Sequence, residues 1–341
     1  MGHRACSTQM KKPGCAIAIL FVALCGSMFG NLLLVAMLGV KGAPQVGASA
    51  INRQRHFEEI EVAKGDSSSR IAVIPLEGII AMGQPGALGN DLVSDFKQAL
   101  DQARRDTRVK AVVVSVDSPG GEITASDVLY NALLEFSKEK PAVVYFNSIG
   151  ASGAYYAACG GSFIMCNHTT FTGSIGVIIS TLNYRDLFGK VGLESVTFKS
   201  GKFKDMLNGS REMTEEERIY VEGLVMQSYD RFLGIVAKSR KLDAAALKAG
   251  PADGRILSGT DAFAEKLVDG LGYVEDAYEK ARELGSAPDA QVVQYKRSIS
   301  FSDLFWLFGE ARSPEIKIDL LQGMFRLQPG RVYLLPAIFA P

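Results

Sequence analysis

The chain has 341 residues, 47% of them hydrophobic, and its 37 basic and 37 acidic side chains give a formal net charge of +0. That is enough apolar content for one large domain or two small ones, and it excludes a disordered chain. No long basic run accompanies the neutral balance, which excludes a nucleic-acid binder.

Between Pro13 and Val40 there is no charged side chain. A helix of about 20 apolar residues crosses a bilayer, so residues 13–40 read as a transmembrane anchor behind a short tail, 1–12. A cleaved signal peptide is the rival, because Ala48-Ser49-Ala50 has the small-residue pattern of a cleavage site. The apolar run is much longer than an ordinary signal-peptide core, which favours the retained anchor. Arg4, Lys11 and Lys12 before the span nearly balance Lys41, Arg53 and Arg55 after it. The pair at the N-terminal edge favours a cytoplasmic N-terminus, hence a single-pass protein of the inner or plasma membrane whose folded part is extracytoplasmic.

Residues 41–69, rich in Gly, Ala, Gln, Ser and charge, read as a juxtamembrane linker, and 70–290 as the folded domain. Arg70–Leu76 and Ala111–Val116 read as buried strands, with a helix over Leu92–Arg104 between them. After Asp117-Ser118-Pro119-Gly120-Gly121 come a helix carrying Val128, Leu129, Leu133 and Leu134, then a strand over Ala142–Phe146. This alternation predicts an α/β domain with a parallel sheet and flanking helices. Further strands are expected at Phe163–Met165 and Ser195–Phe198. Thr214 with Glu217 forms a capping box that opens a long helix through Val236, and shorter helices follow at Asp261–Leu267 and Val274–Leu284. Residues 291–341 form a C-terminal extension whose apolar segment Phe301–Phe308 is expected in a core or a subunit interface.

The run Asn147–Ala158 places Ser152 between small residues where a strand gives way to a helix. Free N–H groups at a helix start can hold the charge that develops on an attacked carbonyl, although most such serines are simply caps. A nucleophile also needs a base. Of the three histidines, His3 precedes the span and His56 lies in the linker, leaving His168. The other candidates are lysines kept neutral by burial: Lys199, Lys202 and Lys204. Residue types and spacing leave these four open. Of five cysteines only Cys159 and Cys166 fall in the folded part, without metal-binding spacing. They read as buried free thiols or one disulfide.

Four motifs, Asp117–Gly121, Gly150–Tyr156, Thr172–Val177 and Ser200–Asp205, occur in an order that resembles the signal peptide peptidase A family, also called protease IV. Gly254–Gly259 and Leu267–Gly272 extend the resemblance, which covers Ile71 to Leu284. It implies a fold of the Clp protease and crotonase type, with Ser152 as nucleophile and Lys204 as general base. It also implies Gly121 and Gly153 as oxyanion-hole donors. Ser118 and Ser174 read as turn-stabilising residues, with supporting hydrogen bonds at the site as the alternative. No metal or organic cofactor is implied. The chain looks like the family's short form: a membrane-anchored serine endopeptidase, assembled into a homo-oligomeric ring, that degrades cleaved signal peptides or other apolar peptides. The serine and lysine would then meet across a subunit boundary. The alternatives are a regulated protease of one membrane protein and a catalytically silent peptide-binding scaffold. Acyl-CoA chemistry on the same fold is disfavoured by the Ser/Lys pair and the anchor.

Overall fold

The computed structural model describes residues 24, 26–31, 57–83 and 91–297, and the backbone of the pair Tyr333–Leu334. The chain divides into two units, Met1–Gln54 and Arg55–Pro341. In the first, residues 24 and 26–31 are helical and exposed. Among the described residues no helix is long and apolar enough to cross a membrane. The expected tail, most of the expected anchor and the segment Phe301–Phe308 lie outside the described residues.

The second unit is built on a parallel-dominated sheet. Its strands are β1 (Phe57–Ala63), β2 (Asp66–Glu77), β3 (Val109–Ser118), β5 (Ala142–Ala151), β6 (Phe163–Cys166), β7 (Phe171–Gly173), β8 (Ile256–Ser258), β9 (Gly270–Leu271) and β10 (Ala290–Arg297). The order is β1-β10-β2-β3-β5-β6-β9, with β7 against the end of β5 and β8 against β7. Only the β1–β10 and β7–β8 pairings are antiparallel in this sheet. A short strand β4 (Gly121–Glu122) lies apart, antiparallel to β11 (Tyr333–Leu334).

Side chains alternate across a strand, and each central strand carries a continuous apolar, buried run (Ile71–Ile74, Ala111–Val114, Ala142–Phe146), so the sheet is covered on both faces. Ala72, Ile74, Leu76, Val112, Val114, Val116, Val144 and Phe146 join one core. That face packs against α1 (Leu92–Arg105), α2 (Ile123–Ser137), α3 (Gly153–Ala158) and the end of α5 (Glu215–Arg240), α4 being Arg185–Lys190. The intervening Ile71, Val73, Ala111, Val113, Val143 and Tyr145 face the other way. They pack on Ala277 and Ala281 of α8 (Val274–Leu284); α6 (Ala244–Ala249) and α7 (Gly259–Ala264) connect these layers.

Three expectations need correction. The sheet starts at Phe57, inside the stretch read as linker, because β1 is an edge strand whose Glu58, Glu59 and Glu61 imitate a solvated connector. The domain also runs past residue 290, since β10 is hydrogen-bonded between β1 and β2. Ser195–Phe198 forms no strand: those residues are exposed, Phe198 at 95%, and no strand among the described residues pairs with them. The helix from Thr214 appears as expected, with both halves of its capping box made.

Candidate active site

Buried strand β5 runs to Ala151, and the chain turns at Ser152 into α3. Ser152 has φ 53° and ψ −116°, a conformation that costs a non-glycine residue roughly 1–3 kcal/mol. Its backbone is held from both sides: its N–H donates to Gly173 O at 2.8 Å, and its carbonyl accepts from Tyr156 N at 2.9 Å. The side chain is buried, and Oγ has no hydrogen-bond partner among the described residues. Leaving a buried hydroxyl unpaired is unfavourable. Strain and an orphan hydroxyl on one residue, over-determined by its surroundings, point to a reacting group rather than a helix cap.

Glycines crowd this turn because there is no room for side chains. A Cβ at Gly153 would stand 2.4 Å from Ser126 Oγ and 3.0 Å from Gly121 N. A Cβ at Gly121 would stand 2.0 Å from Ile80 O. The 120–121 turn is fixed by Ile80 N donating to Gly120 O (2.9 Å) and Glu122 N donating to Ile80 O (2.6 Å). Ser118 Oγ donates to Gly78 O (2.6 Å) and accepts from Gly120 N (3.2 Å), a turn-stabilising role. The amide of Gly121 is thus set beside the residue that follows Ser152. On its other side, Gly121–Glu122 pairs with an extended backbone, Leu334 opposite Gly121 and Tyr333 opposite Glu122. Ser174, buried with φ 49°, is tied to Arg255 O through its N–H at 2.8 Å.

The basic candidates are placed differently. His168 is exposed in a turn, with Nδ1 3.4 Å from Thr260 Oγ1. Lys199 Nζ donates to Asp205 Oδ1 at 2.7 Å, and Lys202 is ion-paired with Glu216. Lys204 is exposed in the turn after Gly201, and no ion pair to it is formed among the described residues. The structure therefore gathers Ser152, Gly121 and Gly153, and no hydrogen bond joins the serine to any of the four candidate bases within one chain.

Beside Lys204 lies a charge cluster that sequence reasoning missed. Arg211 grips Asp205 with Nε and Nη2, both at 2.8 Å, and Glu217 with Nη1 and Nη2 at 2.9 and 2.5 Å. The guanidinium, then Lys199, hold Asp205 well below the usual carboxylate range. Hydrogen bonds from Arg211, then from the Thr214 backbone, lower Glu217 to about 2. The capping box flagged Glu217, but nothing in the local sequence marks Arg211 as its partner. Cys159 and Cys166 are free and buried, and burial pushes both thiols up to about 12. Among the described residues no cluster of potential metal ligands occurs.

An α/β domain that keeps a serine in this posture, at a strand-to-helix turn backed by glycine amides, belongs with the serine hydrolases. Residues 135–287 match the family model described as peptidase family S49. Over 293 residues the chain is 33% identical to the Enterococcus faecium protein named "Putative signal peptide peptidase SppA", covering 83% of this chain and 85% of that protein. It is 33% identical to "Putative protease MJ0651" of Methanocaldococcus jannaschii across 96% of this chain and all (100%) of that relative. Protease 4 of Salmonella typhi is 30% identical over 70% of this chain, but only 38% of the longer relative is covered. The chain belongs to peptidase family S49, the signal peptide peptidase A family, and is a serine peptidase.

Proposed function

We propose that this serine peptidase is a membrane-anchored endopeptidase with a Ser152/Lys204 dyad, completed between neighbouring copies, that degrades cleaved signal peptides or other apolar peptides at the membrane. The observation that carries the reading is Ser152 beside Gly121 and Gly153, its backbone strained and its buried Oγ without a partner among the described residues. In this mechanism Oγ attacks the peptide carbonyl while Lys204 Nζ takes its proton. The N–H groups of Gly121 and Gly153 hold the oxyanion. Lys204 then gives the proton to the leaving amine, and water, deprotonated by the same amine, hydrolyses the acyl-enzyme.

A lysine is a base only as a neutral amine, and burial is what favours that form. Lys204 is exposed in the single chain, which supports delivery of this side chain into a neighbour's site. The same segment bears Leu182, Leu187, Val191, Leu193, Val196 and Phe198, each at least 58% exposed, apolar surface of the kind that subunit contact covers. The pairing of β4 with an extended strand supports peptide recognition by backbone addition at Gly121–Glu122. The charge-free run 13–40 supports the anchor, with the peptidase unit on the extracytoplasmic side.

Complementation tests the shared dyad. Full-length Ser152→Ala and Lys204→Ala are each expected to be inactive on an apolar peptide, and mixing them during assembly in detergent is expected to restore part of the activity. Activity in either variant alone refutes the dyad. Inactivity of every mixture whose subunits exchange refutes the sharing. Light scattering should find an oligomer larger than a dimer.

A further inference from the structure

The segment carrying Lys204 is dense with charge, and its pairings are selective. Asp205 is taken by Lys199 and by the two-point grip of Arg211. Glu217 takes both terminal nitrogens of Arg211. Glu216 pairs with Lys202, Glu212 with Arg185 at 2.5 Å, and Glu215 with Arg218 at 3.3 Å. Each of these five carboxylates thus has a basic partner other than Lys204, although Asp205 follows Lys204 directly in the chain.

We propose that Arg211 is a positioning residue for Lys204: it holds the Asp205 carboxylate away from the amine and fastens the Lys204 loop to the first turn of α5. The inference rests on the reading of Lys204 as general base. A carboxylate beside a lysine stabilises the ammonium form, which cannot accept the serine proton. Arg211 removes that partner with a planar fork that meets one carboxylate along one edge and a second along another, a geometry a lysine cannot reproduce. It also donates to the Glu212 carbonyl (2.9 Å) and the Asp205 carbonyl (3.2 Å), so the backbone is fixed together with the charge. Its far attachment is firm: Glu217 closes the α5 capping box, and its side chain is 3% exposed. Asp205, at 9%, is almost as enclosed.

The test is the pH profile of kcat/KM for an apolar peptide, measured on the full-length protein in detergent. In Arg211→Met the rate at neutral pH is expected to fall about tenfold or more, and the acid limb to move alkaline by about one unit, the order expected when a carboxylate reaches a titrating amine. KM is expected to change little. In the double variant Arg211→Met/Asp205→Asn the limb is expected to return to the parent's position, a rescue that a purely structural arginine does not give. An unmoved limb in Arg211→Met, or a shift that persists in the double variant, overturns the proposal. If Arg211→Met does not fold by circular dichroism, Arg211→Lys, which keeps the charge and loses the fork, decides the matter by the same limb. Lys204→Ala separates the two levels. If it is inactive while the limb of Arg211→Met stays in place, only the positioning role fails; if it is active, the base assignment fails and this role with it.

Discussion

The Cα of Gly153 lies against the amide of Gly121, so close that a Cβ at 153 would stand 3.0 Å from that nitrogen. The two residues come from different strand-to-helix turns, one after β3 and one after β5, which the parallel sheet brings side by side. Gly153→Ala is therefore expected to push the turns apart and misalign both proposed oxyanion donors. The fall in kcat should be about a hundredfold, the cost of losing one such donor, with KM less affected. Steady-state kinetics on folded variant protein checks this, and retention of more than half the parent kcat would count against the two-glycine oxyanion hole.

Ser152 suggests a separation of stability from activity. Its Oγ is buried without a partner among the described residues, so Ser152→Ala removes an unsatisfied group and creates almost no cavity. The variant is expected to be inactive yet at least as stable as the parent in thermal unfolding. A clear drop in Tm would mean that the hydroxyl has a stabilising partner.

The Arg211 cluster predicts a direction for acid sensitivity. Glu217 is lowered from an ordinary 4.5 to about 2, and Asp205 is lowered as well. A carboxyl with a depressed folded value contributes stability that is present above its unfolded value and is lost as pH falls through the folded one. Protection of the N-terminal turn of α5 against hydrogen exchange is thus expected to decline between about pH 4.5 and pH 2. In Glu217→Gln the decline over that window should be shallower, and an identical slope in parent and variant would remove Glu217 from the account.

Tyr333–Leu334 covers the backbone edge of Gly121–Glu122, where an extended substrate would pair in the proposed mechanism. A chain ending at Arg331 lacks this strand. Its KM for an apolar peptide is expected to fall about threefold or more, since the removed strand competes for the same backbone groups, while kcat stays near the parent value. A KM that is unchanged or higher would show that the strand does not compete with substrate.

Much of the fold is legible because its strands are buried on both faces. Arg70–Leu76, Ala111–Val116 and Ala142–Phe146 are apolar runs that a covered parallel sheet requires, and all three fall in central strands. The α5 start is legible because Thr214 and Glu217 satisfy each other locally. Edge strand β1 is not, since a strand with one exposed face and three glutamates has the composition of a linker. Nor does Ser195–Phe198 become a strand, because local composition cannot supply a neighbour to pair with.

At the site, the sequence by itself determined the ingredients: one small hydroxyl residue at a strand-to-helix turn, glycines in two turns, and a lysine-rich loop in a chain nearly without histidine. These are local properties of residue type and order. Tertiary structure decided what they become. The strain at Ser152 arises because the Gly173 carbonyl and the first turn of α3 pin its backbone from opposite sides. The approach of Gly121 to Gly153 depends on two strands distant in sequence lying in register. The joint engagement of Asp205 and Glu217 depends on Arg211 reaching both carboxylates at once. Such relations depend on where side chains from separate segments meet in space, which residue type and spacing do not encode.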